Sequence, residues 1–132
     1  MLKKHARHHR TGEPIPDALV AKLHAARRFN QGYETVRYTA SALLDMAVHA
    51  QTAPEGVDIG EFERAELQRI GLPAGVGMNH RLPHFQHLFS GSGYAAGYYV
   101  YLWAEVLDAD GFDAFAEAGN PFDPAVAQRL QQ

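Results

Sequence analysis

Apolar residues recur at intervals of three and four along most of this sequence, and no stretch alternates cleanly between apolar and polar side chains. Intervals of three and four place side chains on one face of an α-helix, whereas strict alternation is typical of a half-buried strand. Residues with β-branched side chains, which favour strands, are also few. The pattern therefore predicts an all-α fold, and we expect residues 1–132 to form a single helical domain.

Proline, glycine and capping residues divide the chain into helical segments separated by loops. In the second segment, the apolar face is predicted to contain Val36, Ala40, Leu43 and Ala47. The first ten residues form a short polar segment compatible with a helix. The other predicted helices start at Asp17, after residues 30–32 and at Asp58, with a short turn over 84–89, a long helix over 94–118 and a final helix from the Asp123 cap to Leu130.

Charge and composition exclude several classes of partner. The formal net charge is −3 with acidic and basic residues interspersed, so the chain has no extended positive surface for a nucleic-acid backbone. No apolar run approaches the roughly 20 residues that a membrane-spanning helix needs. The chain contains no cysteine, which excludes disulfides and thiolate chemistry and is compatible with a reducing compartment. We therefore expect a cytoplasmic protein that binds neither nucleic acid nor membrane.

A row of tyrosines is the most informative local feature. Tyr94, Tyr98, Tyr101 and Glu105 are four, three and four residues apart. In a continuous helix these positions lie within a stripe of about 60°. Phenol hydroxyls are neutral donors and acceptors near pH 7, suited to holding peptide carbonyls or stabilising an oxyanion. The row is therefore predicted to face a polar cleft.

Two simpler interpretations of this region stay open. The tyrosines can be core or surface aromatic residues whose hydroxyls reach solvent or backbone. Gly91 and Gly93, just before the row, can adopt positive φ or let the backbone approach a ligand, but they can equally form a tight turn. Nearly all other positions of the predicted long helix are apolar, which favours a helix packed on most sides.

The sequence around this row of tyrosines resembles the signature of a known protein family. His87-Leu88-Phe89 and the run from Gly93 to Leu107 are similar to the C-terminal part of the thimet oligopeptidase and peptidyl-dipeptidase Dcp family. The segments Phe29 to Glu34 and Ala42 to Met46 resemble the same family in the same order. Several matching segments in the right order make a specific signal that covers nearly the whole chain.

The resemblance implies a fragment of a zincin-type helical peptidase catalytic domain. Members of the family are zinc metallopeptidases that cleave oligopeptides, and the peptidyl-dipeptidase branch removes dipeptides from C-termini. Position by position, the family's substrate-binding histidine and tyrosines match His87, Tyr94, Tyr98 and Tyr101. Arg81 matches a family arginine to which we assign no role.

The zinc-binding motif of this family is missing from the sequence. The family holds zinc through H-E-x-x-H and a downstream glutamate, and no H-E-x-x-H occurs here. We therefore expect no complete catalytic set and no metal ligands in this chain, which should be inactive alone. Two histidine clusters could still bind a divalent ion, although solvated or hydrogen-bonded histidines are the simpler interpretation; they are His5, His8 and His9, and His80, His84 and His87.

Three functional hypotheses follow from these observations. The first is the C-terminal substrate-binding segment of a dipeptidyl carboxypeptidase-like enzyme, whose partner is an oligopeptide. The second is a non-enzymatic helical module that binds peptides or forms homo-oligomers through exposed apolar surface. The third is half of a split enzyme, with H-E-x-x-H supplied by another chain.

Overall fold

A computed structural model describes residues 2–132, and it confirms the predicted all-α class. A short 3₁₀ turn, Leu82–His84, precedes the fifth helix, and no strand is found within residues 2–132. The helices of the described residues are α1 (Leu2–His5), α2 (Asp17–Ala26), α3 (Gln31–His49), α4 (Ile59–Arg69), α5 (Gln86–Phe89), α6 (Val100–Glu117) and α7 (Pro124–Leu130).

The chain divides into two compact units. The first unit ends at Thr35, and the second comprises Val36–Gln132. In the first unit, an isolated antiparallel bridge joins Arg7 to Pro14 between α1 and α2. The substrate-binding residues predicted from the sequence all belong to the second unit. The expectation of a single domain over residues 1–132 stays a prediction.

The helix caps predicted from the sequence are confirmed. The Asp58 carboxylate accepts a hydrogen bond from the backbone N–H of Glu61 at 2.8 Å, where α4 begins. At the start of α7, Asp123 accepts from the N–H groups of Ala125 and Val126. Each cap satisfies N–H groups that have no acceptor within the helix, so the local sequence is enough to fix these starts.

The predicted buried face of α3 is confirmed at Ala40 but wrong at two other positions. Ala40 is buried, whereas Val36 and Leu43, expected on the same face, are each 43% exposed. The residues that are buried in α3 include two polar ones; they are Ala40, Ser41, Ala42, Leu44 and Asp45. The buried face is thus rotated relative to the apolar pattern, because polar side chains that find hydrogen-bond partners can be buried as readily as apolar ones.

A small core holds the second unit together around the segment before α5. Its fully buried members come from α3, the 3₁₀ turn, the residue between that turn and α5, and α5 itself; they are Leu44, Leu82, Phe85 and Leu88. Partly buried side chains from neighbouring elements pack against them, including Val48, Phe62, Leu67, Met78 and Tyr98. The tyrosine row is therefore attached to the core through Tyr98.

A buried carboxylate anchors the irregular segment that leads into this core. Glu63 of α4 is 3% exposed, and it accepts a hydrogen bond from the Leu82 backbone N–H at 2.7 Å. Its other oxygen is paired with Nε of Arg81, the residue that had no assigned role. One side chain thus fixes two consecutive residues where the loop enters the core.

Helix α6 differs from the sequence-based expectation in its start and in its packing. It begins at Val100 instead of Tyr94, since residues 94–99 form turns. Contrary to the expectation of packing on most sides, α6 has no buried residue, and Trp103 is 60% exposed. None of the helices among the described residues combines the length and apolar character needed to cross a bilayer.

Replacing Glu63 with Gln is predicted to lower the free energy of unfolding by about 2 kcal/mol, the scale of a lost charge-assisted hydrogen bond. The Arg81 side chain is 57% exposed, so water can solvate the unpaired guanidinium and limit the loss. Urea unfolding followed by circular dichroism measures the change.

The matched control is Glu66→Gln on the same helix. Glu66 pairs with Arg69 one turn away, and the Arg69 side chain is 63% exposed. A pair of this kind contributes less than about 1 kcal/mol. Equal losses in the two variants would contradict an anchoring role for Glu63.

Candidate aromatic binding site

The four residues proposed for substrate binding lie together. The rings of Tyr94 and Tyr101 are parallel, with centroids 5.6 Å apart, and Tyr98 contacts Tyr101 edge-on at 5.4 Å. The His87 ring lies 5.6 Å from that of Tyr94 and 5.9 Å from that of Tyr98. We refer to His87, Tyr94, Tyr98 and Tyr101 as the aromatic cluster.

The tyrosines do not form a stripe along one helix, as the sequence predicted. Only Tyr101 belongs to α6, while Tyr94 and Tyr98 lie in the preceding turns. Because residues 94–99 form turns and do not continue the helix, the Tyr94 ring can lie flat against the Tyr101 ring. Glu105, the fourth residue of the predicted stripe, acts on the cluster through its charge, which contributes to a raised pKa for Tyr38.

Sequence reasoning missed Tyr38, which joins the cluster from α3. Its ring stacks on that of Tyr98 with centroids 5.1 Å apart, and it meets Tyr101 edge-on at 6.1 Å. The Tyr38 hydroxyl donates a hydrogen bond to the backbone carbonyl of Tyr98 at 2.9 Å. A signal was present in the sequence, because Tyr38, Ser41 and Asp45 follow one another at intervals of three and four.

Asp45 was also missed as part of the site. It is fully buried, and its two carboxylate oxygens accept from the backbone N–H groups of Ala96 at 3.0 Å and Tyr98 at 2.9 Å. Ala96 has a φ of 54°, in the left-handed region that few residues other than glycine adopt. The two glycines suspected of positive φ, Gly91 and Gly93, do not have it.

The histidine of the cluster is placed by the core. Phe85 and Leu88, which flank His87, are each 1% exposed, whereas His87 itself is exposed. The Phe85 ring also contacts Tyr98 edge-on at 4.8 Å. Burial of its neighbours in the sequence therefore directs His87 outward, beside the tyrosines.

The hydroxyls of Tyr38, Tyr98 and Tyr101 are held in the neutral form. Burial raises the pKa of Tyr38, and the neighbouring tyrosines and Glu105 raise it further. Burial also raises the pKa of Tyr98. For Tyr101, the hydrogen bond with Tyr94 is the main cause of a raised pKa. Since an unperturbed phenol already titrates near pH 10, these groups remain protonated at neutral pH and can donate hydrogen bonds.

The arrangement offers several neutral donors and aromatic faces next to one exposed imidazole. Phenol hydroxyls can donate to carbonyl or carboxylate oxygens of a bound chain, and ring faces can pack against its apolar atoms. The imidazole adds a donor or acceptor whose role depends on its tautomer. The chemistry available to these side chains is therefore binding and polarisation of a polar, extended ligand.

The described residues do not fit a bound metal. Across residues 2–132, no group of three or more His, Cys, Asp or Glu side chains is placed to hold an ion. In the two histidine clusters, the rings make other contacts: His8 lies beside His9 at 4.9 Å, and His80 lies against Phe85 at 5.1 Å. The zinc implied by the sequence resemblance therefore has no ligand set here.

Comparison with known proteins gives a consistent result. The family model described as Peptidase family M3 matches residues 1–132. The chain is 41% identical to the dipeptidyl carboxypeptidase of Escherichia coli (strain K12) over 123 residues, or 91% of this chain. It is 40% identical to a probable cytosolic oligopeptidase A of Arabidopsis thaliana over 128 residues, or 96% of this chain. Oligopeptidase A of Escherichia coli (strain K12) is 41% identical over 114 residues, or 85% of this chain.

The matched region is a small part of these relatives. It covers 18% of the dipeptidyl carboxypeptidase and of the Arabidopsis protein, and 16% of the bacterial oligopeptidase A. The chain therefore spans less than a fifth of the length of the curated relatives it matches.

The raised pKa values of Tyr38, Tyr98 and Tyr101 predict that the folded chain loses stability at alkaline pH. Above about pH 10, phenols of the unfolded chain lose protons before those of the folded cluster, so the folded state binds more protons. The free energy of unfolding should therefore be constant with respect to these groups below about pH 10 and fall as the pH rises further. Tyr38→Phe should make that fall shallower. Urea unfolding at about pH 8 and about pH 11 measures the two slopes.

The matched control is Tyr99→Phe, which removes a phenol that is 53% exposed and whose ring lies outside the cluster. An equal pH dependence in Tyr38→Phe and the unchanged chain would contradict the assignment of a raised pKa to Tyr38.

Proposed function

The chain belongs to peptidase family M3, and on that premise we propose that it is the C-terminal substrate-binding segment of a dipeptidyl carboxypeptidase-like zinc metallopeptidase. In this proposal, His87, Tyr94, Tyr98 and Tyr101 contact an oligopeptide substrate. The observation that carries it is the convergence of these rings, with neighbouring centroids between 5.4 and 5.9 Å apart.

The neutral, protonated form of the phenol hydroxyls supports a role in peptide binding. A peptide presents carbonyl oxygens at regular intervals, and neutral hydroxyls can donate to them without the cost of burying a charge. Tyr101 is 37% exposed, so part of this residue is accessible to a ligand. Tyr98 packs against the core and holds the cluster in place beside the peptide.

We further propose that the isolated chain is catalytically inactive. Peptide hydrolysis by a zinc peptidase needs a metal-activated water. The described residues provide no ligand set for zinc, and the sequence contains no H-E-x-x-H. We therefore assign binding and orientation of the peptide to these residues, and no chemical step.

The cellular location stays a prediction. The relatives include one named as a probable cytosolic enzyme and one named as chloroplastic or mitochondrial. Both locations are reducing interiors compatible with a cysteine-free chain. We propose the cytoplasm, in keeping with the sequence-based expectation.

Tyr101→Phe is predicted to weaken binding of a fluorescently labelled pentapeptide with a free C-terminus by about fivefold, the effect of losing one net hydrogen bond of about 1 kcal/mol. Fluorescence anisotropy measures the affinity of the unchanged chain and of the variant.

Tyr99→Phe is the matched control, since it removes an adjacent hydroxyl outside the aromatic cluster and should leave the affinity unchanged. Absence of peptide binding by the unchanged chain would contradict the proposed function. The same samples with added zinc should release no dipeptide, and chelator-sensitive release would contradict the proposed inactivity.

A second candidate function is association through α6. Apolar side chains on one face of this helix are more than half exposed: Trp103 at 60%, Val106 at 57% and Leu107 at 55%. An exposed apolar surface of this kind typically marks a contact with another protein surface. In the longer relatives such a face can contact the remaining polypeptide, and in the isolated chain it favours a second copy.

Association through α6 predicts that the chain sediments as a dimer or larger species at micromolar concentration. Replacing both Trp103 and Leu107 with Ser should shift it to the monomer, because apolar burial contributes about 25 cal/mol per Å². Sedimentation velocity measures the change. A monomer for the unchanged chain would remove this candidate while leaving the peptide-binding proposal intact.

A further inference from the structure

We propose that Asp45 is a positioning residue that sets the arrangement of the aromatic cluster by holding the turns of residues 94–99. The role rests on the proposed function in that the positioned tyrosines are those assigned to peptide binding. Asp45 itself touches no ligand in this account. It acts through the backbone of Ala96 and Tyr98.

The contacts of Asp45 use both oxygens of a fully buried carboxylate. One oxygen accepts from the Ala96 N–H at 3.0 Å and the other accepts from the Tyr98 N–H at 2.9 Å. On its own helix, the His49 Nδ1 atom lies 2.8 Å from the first oxygen. A carboxylate without exposure to water must find all its hydrogen bonds within the protein, so its position is tightly restricted. The backbone N–H groups of Ala96 and Tyr98, which donate to this carboxylate, are therefore restricted in position as well.

The backbone of the turn needs such support. Ala96 has a φ of 54°, although its side chain disfavours the left-handed region. A residue persists in this conformation when surrounding contacts hold it there. The charge-assisted hydrogen bond from the Ala96 N–H supplies one such contact at the strained residue itself.

A second residue of α3 holds the opposite side of the same turn. The Tyr38 hydroxyl donates to the Tyr98 carbonyl at 2.9 Å, while Asp45 accepts from the Tyr98 N–H. Seven residues separate Tyr38 from Asp45, which is two helical turns and places both on one face of α3. Both polar groups of the Tyr98 peptide backbone are therefore fixed by α3.

Fixing Tyr98 fixes the remaining rings. The Tyr98 ring stacks on Tyr38, meets Phe85 edge-on, and contacts both His87 and Tyr101. If the turn were released and residues 94–99 joined α6, the Tyr94 ring could not keep its parallel placement on Tyr101. Asp45 thus controls where the exposed hydroxyls lie relative to the imidazole of His87.

The test compares Asp45→Asn with Val126→Ala. The asparagine keeps the size of the side chain but presents one oxygen and one NH₂ group, so one of the two backbone donors loses its carboxylate acceptor. If that donor is the Ala96 N–H, it keeps only the longer contact to His49 Nδ1 at 3.3 Å. Val126 is buried in α7, a helix outside the segment 94–99, so its truncation should lower stability without disturbing the turn. Both variants are measured well below their unfolding temperatures.

The first readout is amide hydrogen exchange followed by NMR. In the unchanged chain, the Ala96 and Tyr98 amides should be protected, and Asp45→Asn should speed their exchange at least about tenfold relative to the amides of α4. Val126→Ala should leave that ratio unchanged. Exchange of these two amides in the unchanged chain at the rate of an unstructured peptide would overturn the proposal, and this measurement needs no variant to fold.

The second readout separates positioning from general stability. Asp45→Asn should weaken binding of the labelled pentapeptide about tenfold, whereas Val126→Ala should not change it. Adding Ala96→Gly to Asp45→Asn should recover part of the affinity, because glycine adopts positive φ without strain. Unchanged affinity in Asp45→Asn despite faster exchange would overturn the positioning role.

The two proposals can fail separately. If the unchanged chain binds no peptide, the proposed function is wrong, but the role of Asp45 is still decided by amide exchange and by the NMR shifts of the Tyr94 and Tyr101 rings. Those shifts depend on the parallel ring contact, so Asp45→Asn should move them and Val126→Ala should not. Unmoved shifts in Asp45→Asn would overturn the proposal.

Discussion

The hydrogen bonds between the Asp45 carboxylate and the backbone of residues 96 and 98 are the constraint on which the candidate site depends. A buried carboxylate is costly unless it is fully paired, so it fixes the groups that pair with it. Here those groups belong to a turn 51 to 53 residues later in the sequence. Through these hydrogen bonds, α3 determines how the aromatic cluster is assembled, although none of the four residues of the cluster belongs to this helix.

A second buried carboxylate plays a similar part in another loop. Glu63 pairs with Arg81 and with the backbone of Leu82, and so places the segment that leads to Phe85 and His87. Four fully buried apolar residues form the core of the second unit. Two polar anchors and one apolar cluster together bring His87 to the tyrosines, which is the arrangement that the proposed peptide binding uses.

The features predictable from the sequence are those controlled by nearby residues. The all-α class, the caps at Asp58 and Asp123 and the breaks between helices follow from local preferences and spacing. The predicted start of α6 at Tyr94 was wrong because contacts with another helix determine where α6 begins. The local sequence of the segment beginning at Tyr94 favours a helix, whereas hydrogen bonds from Asp45 and Tyr38 hold residues 96 and 98 in turns.

The prediction of the buried face of α3 was wrong at Val36 and Leu43 for a related reason. A count of apolar residues selects Val36 and Leu43, whereas the structure buries Ser41 and Asp45. The grouping of His87, Tyr94, Tyr98 and Tyr101 was expected from family resemblance, although the helical stripe was the wrong geometry for it. Tyr38 belongs to no family motif quoted from the sequence, and its spacing with Ser41 and Asp45 was the one signal that could have placed it beside the turn.

The central claim is that α3 holds residues 94–99 as a turn and thereby assembles the cluster. Nuclear Overhauser contacts between tyrosine ring protons test it most directly. The account predicts contacts from the Tyr38 ring to those of Tyr98 and Tyr101, whose centroids lie 5.1 and 6.1 Å away, and between the rings of Tyr94 and Tyr101. Helical contacts continuing from α6 back to Tyr94, with none from Tyr38, would contradict it.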